Sequence, residues 1–174
     1  MYATKDWLKA SWRAGRDMLR PVTGGSSSSD IHIHQQETPV MVPIRSLGPS
    51  YRERITQHLL QLEPADRYLR FGYAASDEQI RRYAEQLNFE RDEIFGIYNR
   101  RLELIAMAHL AFSEHPEHKH CAEFGVSVLK QARGRGFGAR LFERAVMHAR
   151  NEGVSMMFIH ALSENTAMLK IARN

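Results

Sequence analysis

Hydrophobic and polar positions change their period within the stretch from Cys121 to Asn151. From Ala122 to Val128 apolar and polar residues alternate, and this period of two predicts a strand with two different faces. From Ala139 onward apolar residues recur at helical spacing, and Gly153 stands where a helix commonly ends. The residues between the two patterns are the glycine-rich run from Arg133 to Gly138. The stretch therefore predicts a strand, a glycine loop and an amphipathic helix.

The chain before this stretch shows weaker patterns of the same kinds. The run from Val40 to Leu47 predicts a first strand, and a helix is predicted from about Tyr51 to Leu62. A second helix is predicted from Ser76 or Asp77 to Leu87, with Ser76 and Gln79 in the pattern of a capping box. Two helices therefore separate the first strand from the next strands.

A hairpin and a buried strand complete the pattern. Residues Glu93 to Tyr98 and Leu102 to Ser113 predict two strands joined by a tight turn. Val154 to Leu162 is an apolar run typical of a buried strand, and Ser163 to Asn165 predicts the start of a last helix with Met168 on its apolar side. The predicted order is β-α-α-β-β-β-α-β-α, an α/β fold.

Composition divides the chain into three segments. Residues 1–20 mix Trp and Leu with Lys and Arg and predict a basic amphipathic segment. We expect it to dock on its own domain or on a second copy; the alternatives are that it binds a partner or a membrane surface, or is disordered. Residues 21–39 contain two glycines and four consecutive serines and predict a flexible linker. Residues 40–174 are the predicted folded domain.

Charge and cysteine content narrow the classes of partner. The net charge of +4 suits an anionic cofactor and falls short of the basic stripe of a nucleic-acid-binding protein. We find no apolar run of transmembrane length and no apolar centre of a signal peptide. One cysteine permits no internal disulfide, which favours a cytoplasmic protein.

The glycine loop has the chemistry of a phosphate cradle. Alternating glycines allow several backbone N–H groups to point toward one centre, and the following helix adds its first-turn donors and positive dipole end. A nucleotide triphosphate loop would need Gly-Lys-Ser/Thr, which this loop lacks. A dinucleotide fold would place its glycines in an opening strand-helix unit with an acidic residue downstream, and that context is also lacking.

The loop resembles the pyrophosphate loop of the GCN5-related N-acetyltransferases, the GNAT superfamily, whose pattern is Arg/Gln-x-x-Gly-x-Gly/Ala. Arg133, Gly136 and Gly138 fit this pattern, and a second register beginning at Gln131 also fits. We prefer the first register, because it ends where the predicted helix begins. The resemblance covers residues 40–174 and implies a mixed, mostly antiparallel sheet that splays between strands 4 and 5 and is flanked by helices.

The resemblance also implies acetyl-CoA as co-substrate and a set of residues that contact it. These are Val126, Val128, Arg133, Gly134, Arg135, Gly136, Phe137, Gly138, Ala139 and, in the gap between the splayed strands, Asn165. Asn165 also fits a helix N-cap. The tyrosine that often protonates the leaving thiolate in this family corresponds to Ala172 here, so that acid is absent. Members also continue into two more strands, and we expect these to be absent from residues up to Asn174. The last predicted strand would then have an unpaired edge, which favours a homo-oligomer.

Glu123 is the candidate catalytic base. Members that acetylate proteins carry a glutamate at the matching point, and an amine acceptor must lose a proton before it attacks. The alternative is a structural charge at the solvated start of the strand. Tyr98, Tyr68 or solvent are the candidate proton donors, and a backbone N–H near Val128 would stabilise the oxyanion.

The resemblance implies acetyl transfer to a primary amine by direct attack in a ternary complex. The segment from Arg67 to Phe71 resembles bacterial protein-lysine acetyltransferase domains, which favours a protein lysine over a small-molecule amine. The alternative, that Tyr68 and Phe71 are core residues and Arg67 and Arg70 are solvated, fits at least as well. The alternative function is a CoA-binding regulatory module without catalysis, favoured by the missing tyrosine. We predict no nucleic-acid partner.

Other candidate residues have simpler interpretations. His109 lies inside an apolar strand and is predicted to be a satisfied core or groove-wall histidine. His115, His118 and His120 form an exposed loop without the carboxylate or cysteine geometry of a metal site, so we predict no metal. Cys121 lacks a paired histidine and is not predicted to be a nucleophile.

Overall fold

The structure is a computed structural model that describes residues 42–159 and, as backbone, 160 and 167–170. Its described elements run in the order β1 Arg45–Ser46, α1 Arg52–Leu60, α2 Pro64–Phe71, α3 Asp77–Glu85, β2 Glu93–Tyr98, β3 Leu104–Phe112, β4 Cys121–Val128, α4 Phe137–Asn151, β5 Met156–His160 and β6 Ala167–Lys170. Short 3-10 turns lie at Pro49–Tyr51, Pro116–His118 and Lys130–Ala132.

The six strands form one sheet in the order in which they occur along the chain. Each neighbouring pair is antiparallel except β4 and β5, which are parallel and connected through α4. A parallel pair needs a crossover connection, and the helix supplies it. The predicted mixed, mostly antiparallel α/β sheet of the GNAT fold is therefore confirmed.

Helices cover both faces of the sheet. On one face, the Phe142 ring of α4 packs edge-on against the Phe124 ring of β4 at a centroid distance of 5.5 Å. On the other face, α1 and α2 contact β3 and β4, and α3 packs on α1. Alternate residues of β4 therefore face different helices, as the period of two predicts.

Local signals explain the ends of the helices. Ser76 caps α3 through its side chain, and Gln79 returns a hydrogen bond to the Ser76 backbone, so the predicted capping box is present. Pro64 opens α2, and Gly72 ends it in the left-handed conformation with φ of 79°. In the described part of the chain, none of the helices combines the length and the apolar run that a membrane crossing requires.

Three predictions about the elements need correction. The element order omitted α2, since eight residues give too short an apolar pattern to distinguish helix from loop. The first strand is only Arg45–Ser46 within the described residues. The predicted last helix is wrong at Met168, which lies in β6 and pairs with Phe158 of β5.

The strand β6 also overturns the predicted unpaired edge. It pairs antiparallel with β5 from Ile159 to Met156, on the side away from β4. The final strands of the sheet are therefore not all missing, and an open edge of β5 is no longer a reason to expect a homo-oligomer. A short apolar run such as Ala167–Lys170 fits a strand as well as a helix, and the backbone groups of β5 decide between them.

Candidate active site

The loop between β4 and α4 turns twice through glycine. Gly134 and Gly136 both have φ of 77°, a conformation that side-chain-bearing residues rarely adopt. Gly136 is the N-cap of α4, and its carbonyl accepts the first helical hydrogen bond, from Arg140 N at 3.1 Å. The N–H groups of the intervening first turn precede that bond, so they are available for an anion.

The first turn of α4 suits a phosphate in two further respects. It carries no acidic residue that would repel an anion. Gly138 lies close to the end of β4, because a Cβ built on it would be 3.8 Å from the Val128 side chain. An alanine would fit there without strain, in agreement with the Gly/Ala position of the family pattern.

Arg133 does not point freely into the loop. Its Nη2 lies 2.6 Å from Asp66 Oδ2 of α2, and its Nε donates to the Val128 carbonyl at 3.4 Å. Arg135 is exposed. Of the two predicted loop cations, Arg133 is thus held by a carboxylate that a bound pyrophosphate would have to displace.

Within the described residues, the parallel pairing of β4 with β5 runs from Cys121 and Met156 to Gly125 and His160. Beyond Gly125, β4 continues through Val126 to Val128. Val126 and Val128 are half-buried there. This is the splay predicted between strands 4 and 5, and it lies directly before the glycine loop. Asn165, predicted to bind in this gap, lies outside the described residues.

Glu123 lies on β4, two residues before the splay. Its neighbours across the sheet are Ala111 on β3 and Phe158 on β5, and the residue is only 7% exposed. The side chain is therefore a buried carboxylate on the face covered by α1 and α2, not a charge at a solvated strand end. Burial beside the splay is compatible with the role of base.

A chain of polar side chains that sequence reasoning missed lies on the same face. Arg70 of α2 donates from Nη2 to the Tyr83 hydroxyl at 2.8 Å, and the Tyr83 hydroxyl contacts His109 Nδ1 at 2.5 Å. His109 Nε2 lies 2.8 Å from Asp92 Oδ2, and Arg91 donates to Asp92 Oδ1 at 2.7 Å. The Asp92 side chain is 1% exposed.

The protonation of this chain follows from its surroundings. Burial lowers the pKa of His109 and raises the pKa of Tyr83. Burial also raises the pKa of Asp92, but hydrogen bonds from His109 and Arg91 outweigh it and leave that pKa below its usual value. With Asp92 ionised, His109 donates from Nε2 and accepts at Nδ1 from the Tyr83 hydroxyl.

His109 is thus satisfied by two partners, which agrees with its predicted role as a core or groove-wall histidine. The sequence held one signal for the network, a single histidine in an otherwise apolar strand. The other members of the network, Arg70, Tyr83 and Asp92, lie on α2, on α3 and just before β2. Only the fold brings them together.

A second buried histidine lies beside the splay. His58 of α1 contacts the Leu104 carbonyl through Nδ1 and Ser127 Oγ through Nε2, each at 2.7 Å. A carbonyl only accepts, so Nδ1 carries the proton and Ser127 donates to Nε2. Burial lowers the pKa of His58 to about 4, so the ring is neutral at physiological pH.

The predicted proton donors are not at the splay. Tyr68 is 51% exposed on α2. Tyr98 ends β2, two strands from β4, with its ring near Arg54 and Tyr51. Ala172 lies outside the described residues. Cys121 is buried, which raises the pKa of its thiol and argues against a nucleophile, as predicted.

The turn between β3 and β4 places three possible metal ligands closer to one another than the sequence indicates. Ligand atoms of His115, Glu117 and His118 lie within 4.8 Å of one another on the turn before β4. Glu117 thus supplies a carboxylate where the sequence was interpreted as lacking one. His115 and Glu117 are exposed, and exposed groups of this kind are common without a metal.

The splayed mixed sheet and its glycine loop at a helix N-terminus are typical of acyltransferases that use acyl-CoA as the donor. The family model for the acetyltransferase (GNAT) family matches residues 56–173. The chain belongs to this family and is, as predicted, an N-acetyltransferase by fold and family.

Solved structures share the fold at low sequence identity. The GNAT domain of S. lividans PAT is 19% identical with a TM-score of 0.55, over 67% of this chain and 69% of that chain. A GNAT superfamily phosphinothricin acetyltransferase from Sinorhizobium meliloti, in complex with AcCoA, is 15% identical with a TM-score of 0.52, over 68% of this chain and 65% of that chain. A GNAT acetyltransferase from Staphylococcus aureus Mu50 is 12% identical with a TM-score of 0.53, over 70% of this chain and 75% of that chain. Among curated proteins, none matches the chain.

Proposed function

We propose that this protein transfers the acetyl group of acetyl-CoA to a primary amine, of a protein lysine or a small molecule, by direct attack in a ternary complex. The observation that carries the proposal is the succession along β4 of a buried carboxylate, a splay and an anion-binding loop. These three features match the base, the thioester and the pyrophosphate in that order.

The pyrophosphate is assigned to the loop that follows β4. Backbone N–H groups of Gly134 to Ala139 and the positive end of α4 would bind it, with Arg133 and Arg135 adding charge. The splayed backbone at Val126 and Val128 would bind the acetyl and pantetheine end, with Asn165 across the gap. An N–H here would stabilise the tetrahedral oxyanion, an effect worth on the order of 3 kcal/mol.

Glu123 would take the proton that the acceptor ammonium must lose. The free amine nitrogen then bonds to the acetyl carbon, the carbon–sulfur bond breaks, and its electron pair leaves with the CoA thiolate. The nitrogen, positively charged after the attack, loses its second proton to solvent, and solvent returns a proton to the thiolate. A lysine-like amine has a pKa of about 10.4, so deprotonation limits the fraction that can attack at neutral pH. Binding of this cofactor also favours a cytoplasmic location.

The structure refines the case for a lysine acceptor. Arg67 is occupied with the carbonyls of Leu60, Leu62 and Ala75 and with Asp77, so it holds the α2–α3 corner together. Arg70 is buried against β4. Packing alone can therefore account for the residues of this segment, and its resemblance to protein-lysine acetyltransferases does not decide the acceptor. The test must include both a protein lysine and a small-molecule amine.

The test is acetyl-CoA binding by calorimetry on the 1–174 chain, followed by free-thiol release with a lysine-peptide pool and a small-amine pool. Binding with release supports the transferase, and the responding pool identifies the acceptor class. Binding without release in either pool contradicts catalysis and supports the CoA-binding regulatory module.

Two charge reversals on α4 and its loop make the binding assay specific. Arg133→Glu is expected to weaken acetyl-CoA binding, because it places a carboxylate beside the pyrophosphate. Arg150→Glu makes the same change near the other end of α4 and is expected to leave the affinity unaltered. Equal affinities in the two variants would reject the register that begins at Arg133.

A further inference from the structure

Arg70 of α2 is a buried cation that forms no ion pair. The residue is 7% exposed, and the ion pairs among the described residues do not include it. Its Nη2 donates to the neutral Tyr83 hydroxyl, its Nε is buried without a hydrogen-bond partner, and its Nη1 has no acceptor among the described residues. A buried guanidinium is costly unless an anion satisfies its N–H groups. The unused donors therefore indicate an anionic ligand.

The groups around Arg70 stabilise its charge only in part. Its Cζ lies 5.0 Å from the centroid of the Phe71 ring and 5.4 Å from that of Tyr83. Such cation–π contacts stabilise a cation without accepting its hydrogen bonds. Burial, with a smaller contribution from the Arg70 charge, lowers the pKa of the nearby His58 and His109, so both rings are neutral. These neighbours hold the guanidinium in place and leave its hydrogen bonds to be made.

The guanidinium lies on the same face of β4 as the proposed base. A Cβ on Gly125 would be 2.5 Å from Cζ and Nη1 of Arg70, so the group packs directly on the strand. Glu123 is two residues before Gly125 on β4, and alternate residues of a strand share a face. Strand residues rise about 3.3 Å each, so the cation and the carboxylate are about 7 Å apart along the strand.

A chain of hydrogen bonds orients the guanidinium. Asp92 accepts from His109 Nε2, and His109 Nδ1 accepts from the Tyr83 hydroxyl. The phenol has then used its one proton, and its oxygen accepts from Arg70 Nη2. Every donor in the chain points toward Asp92, and Arg70 is the last member. The network therefore holds Arg70 on the face that carries Glu123.

We infer that the acceptor is a small amino acid whose carboxylate binds Arg70 while its ammonium faces Glu123. This inference rests on the proposed acetyl transfer. A guanidinium binds a carboxylate through paired N–H groups, and a carboxylate accepts from an ammonium, so the two side chains bind opposite ends of a zwitterion.

The spacing and the burial of the two side chains favour a small molecule over a protein. The ammonium and the carboxylate of an α-amino acid or a short ω-amino acid are separated by a few bonds, which suits two side chains about 7 Å apart. Arg70 and Glu123 are each only 7% exposed, so a narrow ligand reaches both more easily than a folded surface does. A protein lysine also carries its ammonium far from the carboxylates of neighbouring residues.

The first test compares amino acids with their primary amides as acceptors for the wild-type protein. The amide keeps the size of the acceptor and removes its negative charge. Free-thiol release gives kcat and KM, and rates are expressed per unprotonated amine, because the amide lowers the pKa of the amine. We expect kcat/KM to be about 30-fold or more higher for the preferred amino acid than for its amide, mainly through KM. Equal values would overturn the inference.

The second test moves the preference by substitution. Arg70→Gln removes the charge and keeps a donor for the Tyr83 hydroxyl. It should reduce the ratio of acid to amide to a few-fold, whereas Arg70→Lys, which keeps the charge, should retain part of it. Arg82→Gln makes the same charge change at an exposed position of α3 and should keep the wild-type ratio. A wild-type ratio in Arg70→Gln would overturn the inference.

The outcomes separate this inference from the proposed function. Wild-type protein that acetylates lysine peptides or amines without a carboxylate, and not amino acids, would overturn the inference and leave the transferase in place. Wild-type protein that binds acetyl-CoA but releases no thiol with any acceptor would contradict the transferase, and the amino-acid acceptor with it.

A further measurement covers the case in which the Arg70 variants do not fold. A short alkyl carboxylate should inhibit the wild-type protein in competition with the amino acid, and the corresponding amide should not. A carboxylate that inhibits no better than its amide would overturn the inference.

Discussion

The Arg70 guanidinium fills the space that a side chain on Gly125 would need. A Cβ at position 125 would lie 2.5 Å from Arg70 Cζ and Nη1, closer than real Cβ atoms approach other atoms. Arg70 is 7% exposed and is held on its far side by Tyr83, so it has little freedom to move. Glycine at this position therefore leaves the space in which the Arg70 guanidinium packs against β4.

Gly125→Ala should destabilise the protein and lower acetyl transfer together. Overpacking of this kind costs about 1 to 3 kcal/mol, and the displaced Arg70 would lose its bond to Tyr83. Urea unfolding gives the stability, and free-thiol release gives the rate. Gly48→Ala is the matched control, since nothing lies within 4 Å of a Cβ at position 48. Equal stability of the two variants would contradict this packing account.

Asp66→Asn should strengthen acetyl-CoA binding. The substitution releases Arg133 from the 2.6 Å ion pair and removes a negative charge from the neighbourhood of the loop. A partly exposed pair of this kind is worth up to about 1 kcal/mol, so we expect up to about a fivefold lower Kd by calorimetry, less at high salt.

The control for Asp66→Asn is Glu78→Gln. It breaks the exposed pair with Arg82 on α3, which has no contact with the loop, and should leave the Kd unaltered. A higher Kd in Asp66→Asn would mean that Asp66 holds the loop in its binding conformation and does not compete with the cofactor.

Glu123→Gln should slow acetyl transfer without weakening acetyl-CoA binding. General bases contribute about 10²- to 10⁴-fold, and the loss should be largest at low pH, where the acceptor is protonated. Raising the pH supplies free amine and should narrow the difference from wild type. Glu143→Gln, on the exposed surface of α4, is the control. A rate ratio that is the same at every pH would dismiss Glu123 as the base.

The sequence predicted those parts whose signals are local. The glycine loop, the amphipathic helix α4 and the capping box of Ser76 each depend on residues close together in the chain. The strand β6 was missed because its structure is set by the edge of β5, not by its own short apolar run. The same limit explains the network at the splay. Arg70, Tyr83 and His109 belong to three elements, and their spacing along the chain carries no pattern.

Acid should destabilise the fold through His58. Its pKa is about 4 in the folded protein against 6.5 for a free histidine, so the unfolded chain binds more protons between these values. The stability associated with the neutral ring is complete above pH 6.5 and is lost as the pH falls toward 4. The loss amounts to about 3 kcal/mol, since each pKa unit is about 1.4 kcal/mol.

Urea unfolding at pH 7 and at pH 4.5 measures this contribution. His58→Gln retains a donor for the Leu104 carbonyl and an acceptor for Ser127, so it should fold but lose stability less steeply with acid than wild type. His120→Gln, at an exposed position, should keep the wild-type pH dependence. Parallel stability curves for wild type and His58→Gln would place the acid sensitivity of this pH range elsewhere. Asp92 would not explain it, because the lowered pKa of that carboxyl makes its contribution disappear only at more acid pH.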